Sequence, residues 1–243
     1  MKKLLILFLL AGLPAAALAS GGEGVKLDAV NIDLNDKASL QRGARIFVNY
    51  CLSCHSAGYM RYNRMGHDLG ISEELVKENL LFAADKVGEL MTAVMPKADA
   101  KAWFGVAPPD LSLVARARGP NWFYTYMRSF YRDDKSPSGW NNTVFPHVAM
   151  PHVLYEWQGH QRAVFKKDAH GVDLFENFEL ARPGSLSAEE YNNAMRDLTN
   201  FMVYLGEPAK LVRYQIGIYV LIFLAFFTVF AYLLKKEYWK DIH

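Results

Sequence analysis

Residues 51–55 read Cys51-Leu52-Ser53-Cys54-His55. Two thiols separated by two residues and followed at once by an imidazole suit covalent attachment of a c-type haem. Each sulfur can form a thioether to a vinyl group, and the histidine can reach the iron. The chain holds 2 cysteines, so the competing uses of the pair each lack something. A zinc ribbon needs more thiolates or nearby histidines, and His67 is the one histidine between His55 and His147. A thioredoxin-like dithiol needs a βαβ setting, whereas this pair closes a helix-periodic segment. A plain disulfide in an exported protein is the remaining alternative.

Upstream, Leu40, Ala44, Phe47, Val48 and Cys51 recur at helical spacing, which predicts a helix over 39–50 that delivers the thiols. Gly43 sits one turn before Phe47 on the same face; it either admits a second helix closely or is simply tolerated. Residues 20–38 are polar and read as an extended leader. Before them, Lys2 and Lys3, the apolar run from Leu4 to Leu10 and Ala17-Leu18-Ala19 have the layout of an export signal over residues 1–19, cleaved before Ser20. Its loss brings the formal net charge of +2 close to zero, so no nucleic-acid partner is implied.

Downstream, SAGYMRYNRM at 56–65 brings Tyr59, Arg61, Tyr62 and Arg64, side chains able to neutralise propionates or cover a ring edge. Ser72 caps a short helix with Glu73 and Glu74 in its first turn, ending before Asp85. The stretch 85–105 reads as loop with a short helix over 88–94. Pro108-Pro109 makes a rigid extended approach, and Asp110 can cap a helix through Leu113, Val114 and Ala117. Gly119-Pro120 stops that helix and starts another, which carries Trp122, Phe123, Tyr124, Tyr126, Met127, Phe130 and Tyr131. That is more than one core stripe needs, so part of this surface should meet the haem, another subunit or the interface. Residues 132–186 are punctuated by Pro and Gly and read as a long irregular region with short strands at 153–157 and 163–165. Ser187 and Glu190 then form a capping box. The stripe Tyr191, Ala194, Met195, Leu198, Phe201, Met202 and Leu205, closed by Gly206, predicts a helix that packs on the 39–50 helix.

Residues 216–234, IGIYVLIFLAFFTVFAYLL, with Gln215 span about 30 Å as a helix, enough to cross a bilayer. Tyrosines and Trp239 mark the flanks, and Lys235, Lys236 and Lys240 follow. The expected organisation is a signal peptide over 1–19, a periplasmic head over 20–208, an anchor over 209–235 with apolar core 215–234, and a cytoplasmic tail over 236–243. The fold class is mostly α: a c-type cytochrome domain with long irregular insertions and one C-terminal transmembrane helix.

A haem iron held by His55 leaves one axial place. Met95 before Pro96 and Met150 before Pro151 are the methionines presented by loops, while His147 and His152 are the rivals for a bis-histidine site. Spacing does not decide among them. Met127, Met195 and Met202 fall in expected helices and read as core or interface.

The ordered set GARIFVNYCLSCHSAGYMRYNR at 43–64, APPDLSLVARAR at 107–118, FPHVAMPHVLY at 145–155, NFMVYLGEP at 200–208 and the single anchor resembles the cytochrome c1 family, the haem subunits of cytochrome bc1 complexes in bacterial form. The resemblance implies one covalent haem c on Cys51 and Cys54, iron ligation by His55 and Met150, Arg118 and Tyr124 addressing a propionate, and Pro109 beside the haem. It further implies that the head accepts an electron from a Rieske iron-sulfur protein and donates it to a cytochrome c. Cytochrome b would share the complex, a dimer in the inner membrane, as a subunit of quinol-cytochrome c reductase. The alternatives are an independent membrane-anchored c-type electron carrier and the haem subunit of another respiratory oxidoreductase. Acidic runs that would steer a basic cytochrome c are absent; Glu73-Glu74 and Asp133-Asp134 are isolated pairs.

Overall fold

The computed structural model describes residues 25–167 and 171–241, so the expected signal peptide and the cleavage at Ser20 lie outside the described residues. Helix α1 (Lys37–Ile46) is capped by Asp36, whose carboxylate accepts the Ser39 amide, and widens into a π-helical turn over Phe47–Cys51. Strand β1 (Ala57–Arg61) leads into α2 (Tyr62–Leu69), which ends at Gly70 in the left-handed region. Ser72 caps α3 (Glu73–Asn79) as its spacing predicts, accepting from the Leu75 amide. Strand β2 (Leu90–Met91) pairs antiparallel with β1, and α4 (Lys97–Phe104) follows Pro96. Then come α5 (Val114–Arg118) and α6 (Pro120–Arg128), the latter with proline at its first turn. Strands β3 (Phe130–Arg132) and β4 (Trp140–Asn142) form an antiparallel pair. Helix α7 (Tyr155–Gln158) precedes a hairpin of β5 (Gly159–Lys167) and β6 (Asp173–Pro183). The chain closes with α8 (Ala188–Gly206) and α9 (Lys210–Tyr238).

Four local expectations are corrected. Helix α6 stops at Arg128, and Phe130 and Tyr131 belong to β3, paired with β4, instead of continuing the helix. The stretch 88–94 holds the β2 strand, and the helix lies later, over α4, where Ala100 alone is buried and no amphipathic stripe announces it. The expected strand at 153–157 is instead a turn running into α7, while 163–165 is the middle of a nine-residue strand. The region 132–186 is therefore less irregular than its Pro and Gly content suggests. Asp110 does not cap α5; its carboxylate accepts the amides of Ser112 at 2.7 Å and Gly58 at 2.8 Å.

The core is built on α1 and α8. Ser187 and Glu190 form the expected capping box, and Tyr191, Met195, Leu198, Phe201, Met202 and Leu205 are all buried. A Cβ at Gly43 would lie 2.1 Å from the Asp197 carbonyl oxygen and 2.7 Å from Phe201 Cβ, so the two helices touch where α1 has no side chain. Beside this contact the buried Asp197 carboxylate accepts from Ser39 Oγ (2.6 Å) and Arg42 Nε (2.5 Å), and Asn200 donates to Ser39 Oγ (2.7 Å). The buried charge is thus paired and hydrogen-bonded, as burial requires. Around this seam pack Leu40, Phe47, Tyr62, Met65, Leu69 and Tyr204.

Helix α9 runs for 29 residues, about 43 Å at the α-helical rise, and is long and apolar enough to cross a membrane once. Its apolar side chains, such as Phe223, Phe226 and Phe230, are exposed, as a lipid-facing helix requires.

Gly43→Ala should lower the stability of the head by about 3 kcal/mol, because the added methyl meets backbone that cannot swing aside. Gly88→Ala, where a Cβ meets nothing within 4 Å, is the control and should change little. Denaturation of the full chain in detergent, followed by circular dichroism, compares the two.

Candidate functional site

The π-helical turn brings Cys51 to the end of α1. Cys54 and His55 continue from it, their amides bonded to the Cys51 carbonyl at 3.1 and 2.8 Å. Both thiols are free, Cys51 buried and Cys54 half-buried. Burial, reinforced by Cys54, pushes the Cys51 thiol up to about 12. His55 is almost completely buried, and its Nδ1 donates to the Pro109 carbonyl at 2.8 Å. A carbonyl only accepts, so this bond selects the tautomer whose Nε2 carries a free lone pair. Burial holds the imidazole below its usual pKa despite opposing contributions from Pro109 and Asp110.

Two segments are laced onto this turn by backbone. On one side the Leu111 amide donates to the Ser56 carbonyl (2.8 Å), and Asp110 and Ser112 accept from the amides of Gly58 and Tyr59. On the other, the Met95 amide donates to the Ser53 carbonyl (3.1 Å) and the Ala93 amide to Ser56 Oγ (2.9 Å). Pro109 is thereby placed against His55. Met95 lies next to the attachment turn through its main chain.

Met150 is held from another direction. Its Sδ accepts from the Tyr126 hydroxyl at 3.4 Å, and Tyr126 is buried on α6. The Tyr126 carbonyl also accepts from Asn142 Nδ2 (2.8 Å), whose Oδ1 takes the amides of Val144 and Phe145, while Asn141 Oδ1 takes that of His147. Two adjacent asparagines therefore shape the loop leading to Met150. Among the rival ligands, His147 is exposed, at φ 60°. His152 is buried with its ring stacked on Phe130 (4.9 Å, 3°) and edge-on to Trp140 (5.1 Å), and burial pulls its pKa down to about 4.

Arg118 and Tyr124 are not brought together. The Arg118 guanidinium lies over the Trp122 ring (5.3 Å), Trp122 stacks on Tyr126 (5.0 Å), and Tyr126 meets Phe130 edge-on, a ladder at four-residue steps. Tyr124 is on the opposite side of α6, under Arg128 (4.6 Å), which binds Asp28. Of the group after the motif, Tyr62 is buried, Tyr59 is exposed, Arg61 donates to the Gly88 carbonyl and Arg64 pairs with Asp68. Sequence reasoning named Tyr126 only within the aromatic surface and missed Asn141 and Asn142. The i, i+4 spacing of Arg118, Trp122 and Tyr126 is the signal that places these three on one face.

These residues fit a c-type haem: two thiols free of a disulfide at attachment spacing, an imidazole whose remote nitrogen is left free by a carbonyl, and a methionine sulfur held by a tyrosine hydroxyl. The cytochrome c1 family model matches residues 30–162 and 186–242. The chain belongs to the cytochrome c1 family. It is 54% identical over its whole length to a cytochrome c1 of Allochromatium vinosum, and 51% identical to a protein of Nitrosomonas europaea named ammonia monooxygenase gamma subunit, covering 98% of that protein. A cytochrome c1 of Rhodospirillum rubrum is 27% identical, with 85% of this chain and 83% of that one covered. At the level of the family, this cytochrome c1 relative is an electron-transfer subunit of a membrane-bound complex, with haem as the suggested cofactor.

The link between Asp110 and the motif can be tested by pH. Partial burial pushes this carboxylate up, but hydrogen bonds from Ser112 and Gly58 outweigh it and hold it below its ordinary value. A depressed carboxylate stabilises fully above the unfolded pKa of about 4 and loses that contribution as pH falls through the lower folded value. Asp110→Ala should cost about 1 kcal/mol at neutral pH, modest because the side chain is solvated. Denaturation curves of variant and wild type should converge on acidification.

Proposed function

We propose that the chain is the haem-bearing subunit of a quinol-cytochrome c reductase, exporting its head to the periplasm and leaving its tail in the cytoplasm. The observation that carries this reading is the His55–Pro109 hydrogen bond. It sets the tautomer and orientation of the imidazole that follows the two attachment thiols, the task of an axial ligand's outer partner. Haem c supplies a one-electron Fe(III)/Fe(II) change. Cys51 and Cys54 would hold it covalently, and His55 and Met150 would be its axial ligands. Tyr126 orients the Met150 sulfur, while the paired bonds from Asn141 and Asn142 hold the loop rigid. Arg118, at the open end of the aromatic ladder, is a candidate for propionate charge; Tyr124, turned toward Arg128, is the weaker candidate of the two. An electron would arrive from a Rieske iron-sulfur protein and leave to a cytochrome c, with cytochrome b handling quinol within a dimeric complex.

The likeness to the Nitrosomonas europaea protein favours a second reading, in which the same haem head serves another respiratory oxidoreductase. Mild detergent purification separates the two. Cytochrome b and a Rieske protein co-purifying with covalent haem support the first, and a different set of subunits supports the second.

Ligation has its own tests. Met150→Leu keeps much of the apolar volume and removes the sulfur. Covalent haem should remain, the potential should drop, and the thioether-to-iron charge-transfer absorption should vanish, whereas Met95→Leu should leave both intact. The reverse pattern overturns the assignment. Tyr126→Phe withdraws a donor from the sulfur, which makes it a better donor to iron, so the potential should fall by less than in Met150→Leu with the absorption retained.

A further inference from the structure

A cleft of about 390 Å³ lies between β3 and the root of the β5–β6 hairpin, lined by Arg132, His160, Arg162 and Arg182 with Tyr131 and Asp134 at its rim. Three guanidinium groups face one carboxylate. Asp134 approaches Arg132 only to 3.9 Å and is almost fully solvated, and among the described residues Arg162 and Arg182 form no ion pair. Glu179 stands opposite Arg162 in the strand register without bonding to it. The positive field is felt locally: His160 is held below its ordinary pKa first by burial and then by Arg132 and Arg182.

The cleft is also next to the proposed distal wall. The Arg132 guanidinium lies 4.9 Å over the Trp140 ring, which is 5.3 Å from His160 on the cleft side and 5.1 Å from His152 on the inner side. His152 is two residues from Met150. One indole therefore separates the cationic cleft from the ligand segment. Along the same hairpin Phe165, Leu174 and Leu180 are exposed, and the family model's match lapses between 162 and 186, so Arg182 belongs to a stretch outside it.

We propose that this cleft is the docking surface for an acidic redox protein that exchanges electrons with the head. The proposal rests on the haem reading above and names the partner's charge. Arginines flanked by exposed aromatic and aliphatic groups are the usual make-up of a protein interface. Transient redox encounters are small and steered by charge. An open groove between two β-ribbons suits a carboxylate-bearing protein surface better than a single small anion. The polarity is opposite to that of an acidic surface steering a basic cytochrome c.

The test uses the full chain, haem-loaded and in detergent, with two soluble c-type cytochromes of matched potential, one acidic and one basic. Equilibrium binding and electron-transfer rate are both read across a salt series. At low salt the acidic protein should bind and react at least about tenfold faster, an advantage lost as salt rises. Arg162→Glu with Arg182→Glu should remove about that factor and flatten the salt dependence, with Arg162→Gln and Arg182→Gln intermediate. Spectrum and potential should be unchanged, since both side chains are exposed. Equal or faster reaction with the basic protein, or variants indistinguishable from wild type, overturns the proposal. So does a site that only inorganic phosphate occupies, seen as phosphate binding lost in the variants without any change toward the acidic protein. Binding reads the surface independently of the haem. Charge-dependent binding by a chain without covalent haem removes the redox role and keeps the surface; a haem-loaded chain without it does the opposite.

Discussion

The contact on which the rest of the head depends is the crossing of α1 and α8 at Gly43. Without a side chain there, the α8 backbone at Asp197 comes to a distance that a methyl group would forbid. The close approach brings Ser39 and Arg42 within reach of a buried carboxylate. Leaving that carboxylate unpaired would be costly, so packing and charge satisfaction reinforce one crossing geometry. Because α1 ends in the π-helical turn that carries Cys51, the crossing also sets where the attachment motif points.

From that fixed end, the site is assembled mainly by hydrogen bonds between loops. The segments around 93–95 and 109–112 meet the turn on two sides through amide-to-carbonyl and amide-to-side-chain bonds, which hold irregular backbone without a sheet. Such bonds are each worth little net, but leaving their groups unpaired on burial is expensive. The Met150 segment is supported differently, by Tyr126 and the side chains of Asn141 and Asn142, so it depends on α6 instead of α1. An electron-transfer centre gains from both arrangements being stiff.

The hairpin stands apart from this logic. It is long and exposed, and its root meets β3 to form the arginine cleft. Its exposed apolar side chains, and guanidinium groups that form no ion pair among the described residues, add nothing evident to the core, which fits the proposal of a surface kept for a partner.

Residues 51–55 alone made the proposed attachment site legible, because such a site needs only two thiols and an imidazole at fixed local spacing. The α8 stripe, its capping box, the Ser72 cap, Pro120 at the start of α6 and the long apolar helix were equally legible, since each rests on contacts within one or two turns or on hydrophobicity alone. Helix α4, the β2 strand and the hairpin were not. Helix α4 has no amphipathic stripe, β2 is a two-residue strand defined only by its partner, and the glycines and prolines bounding the hairpin made its long strands read as loop. The His55–Pro109 bond, the Tyr126–Met150 bond, and the meeting of Arg132 with Arg162 and Arg182 join residues tens of positions apart. Only tertiary structure could decide those, because the chain must first close at Gly43 and along α6 before such side chains come within hydrogen-bonding or electrostatic range.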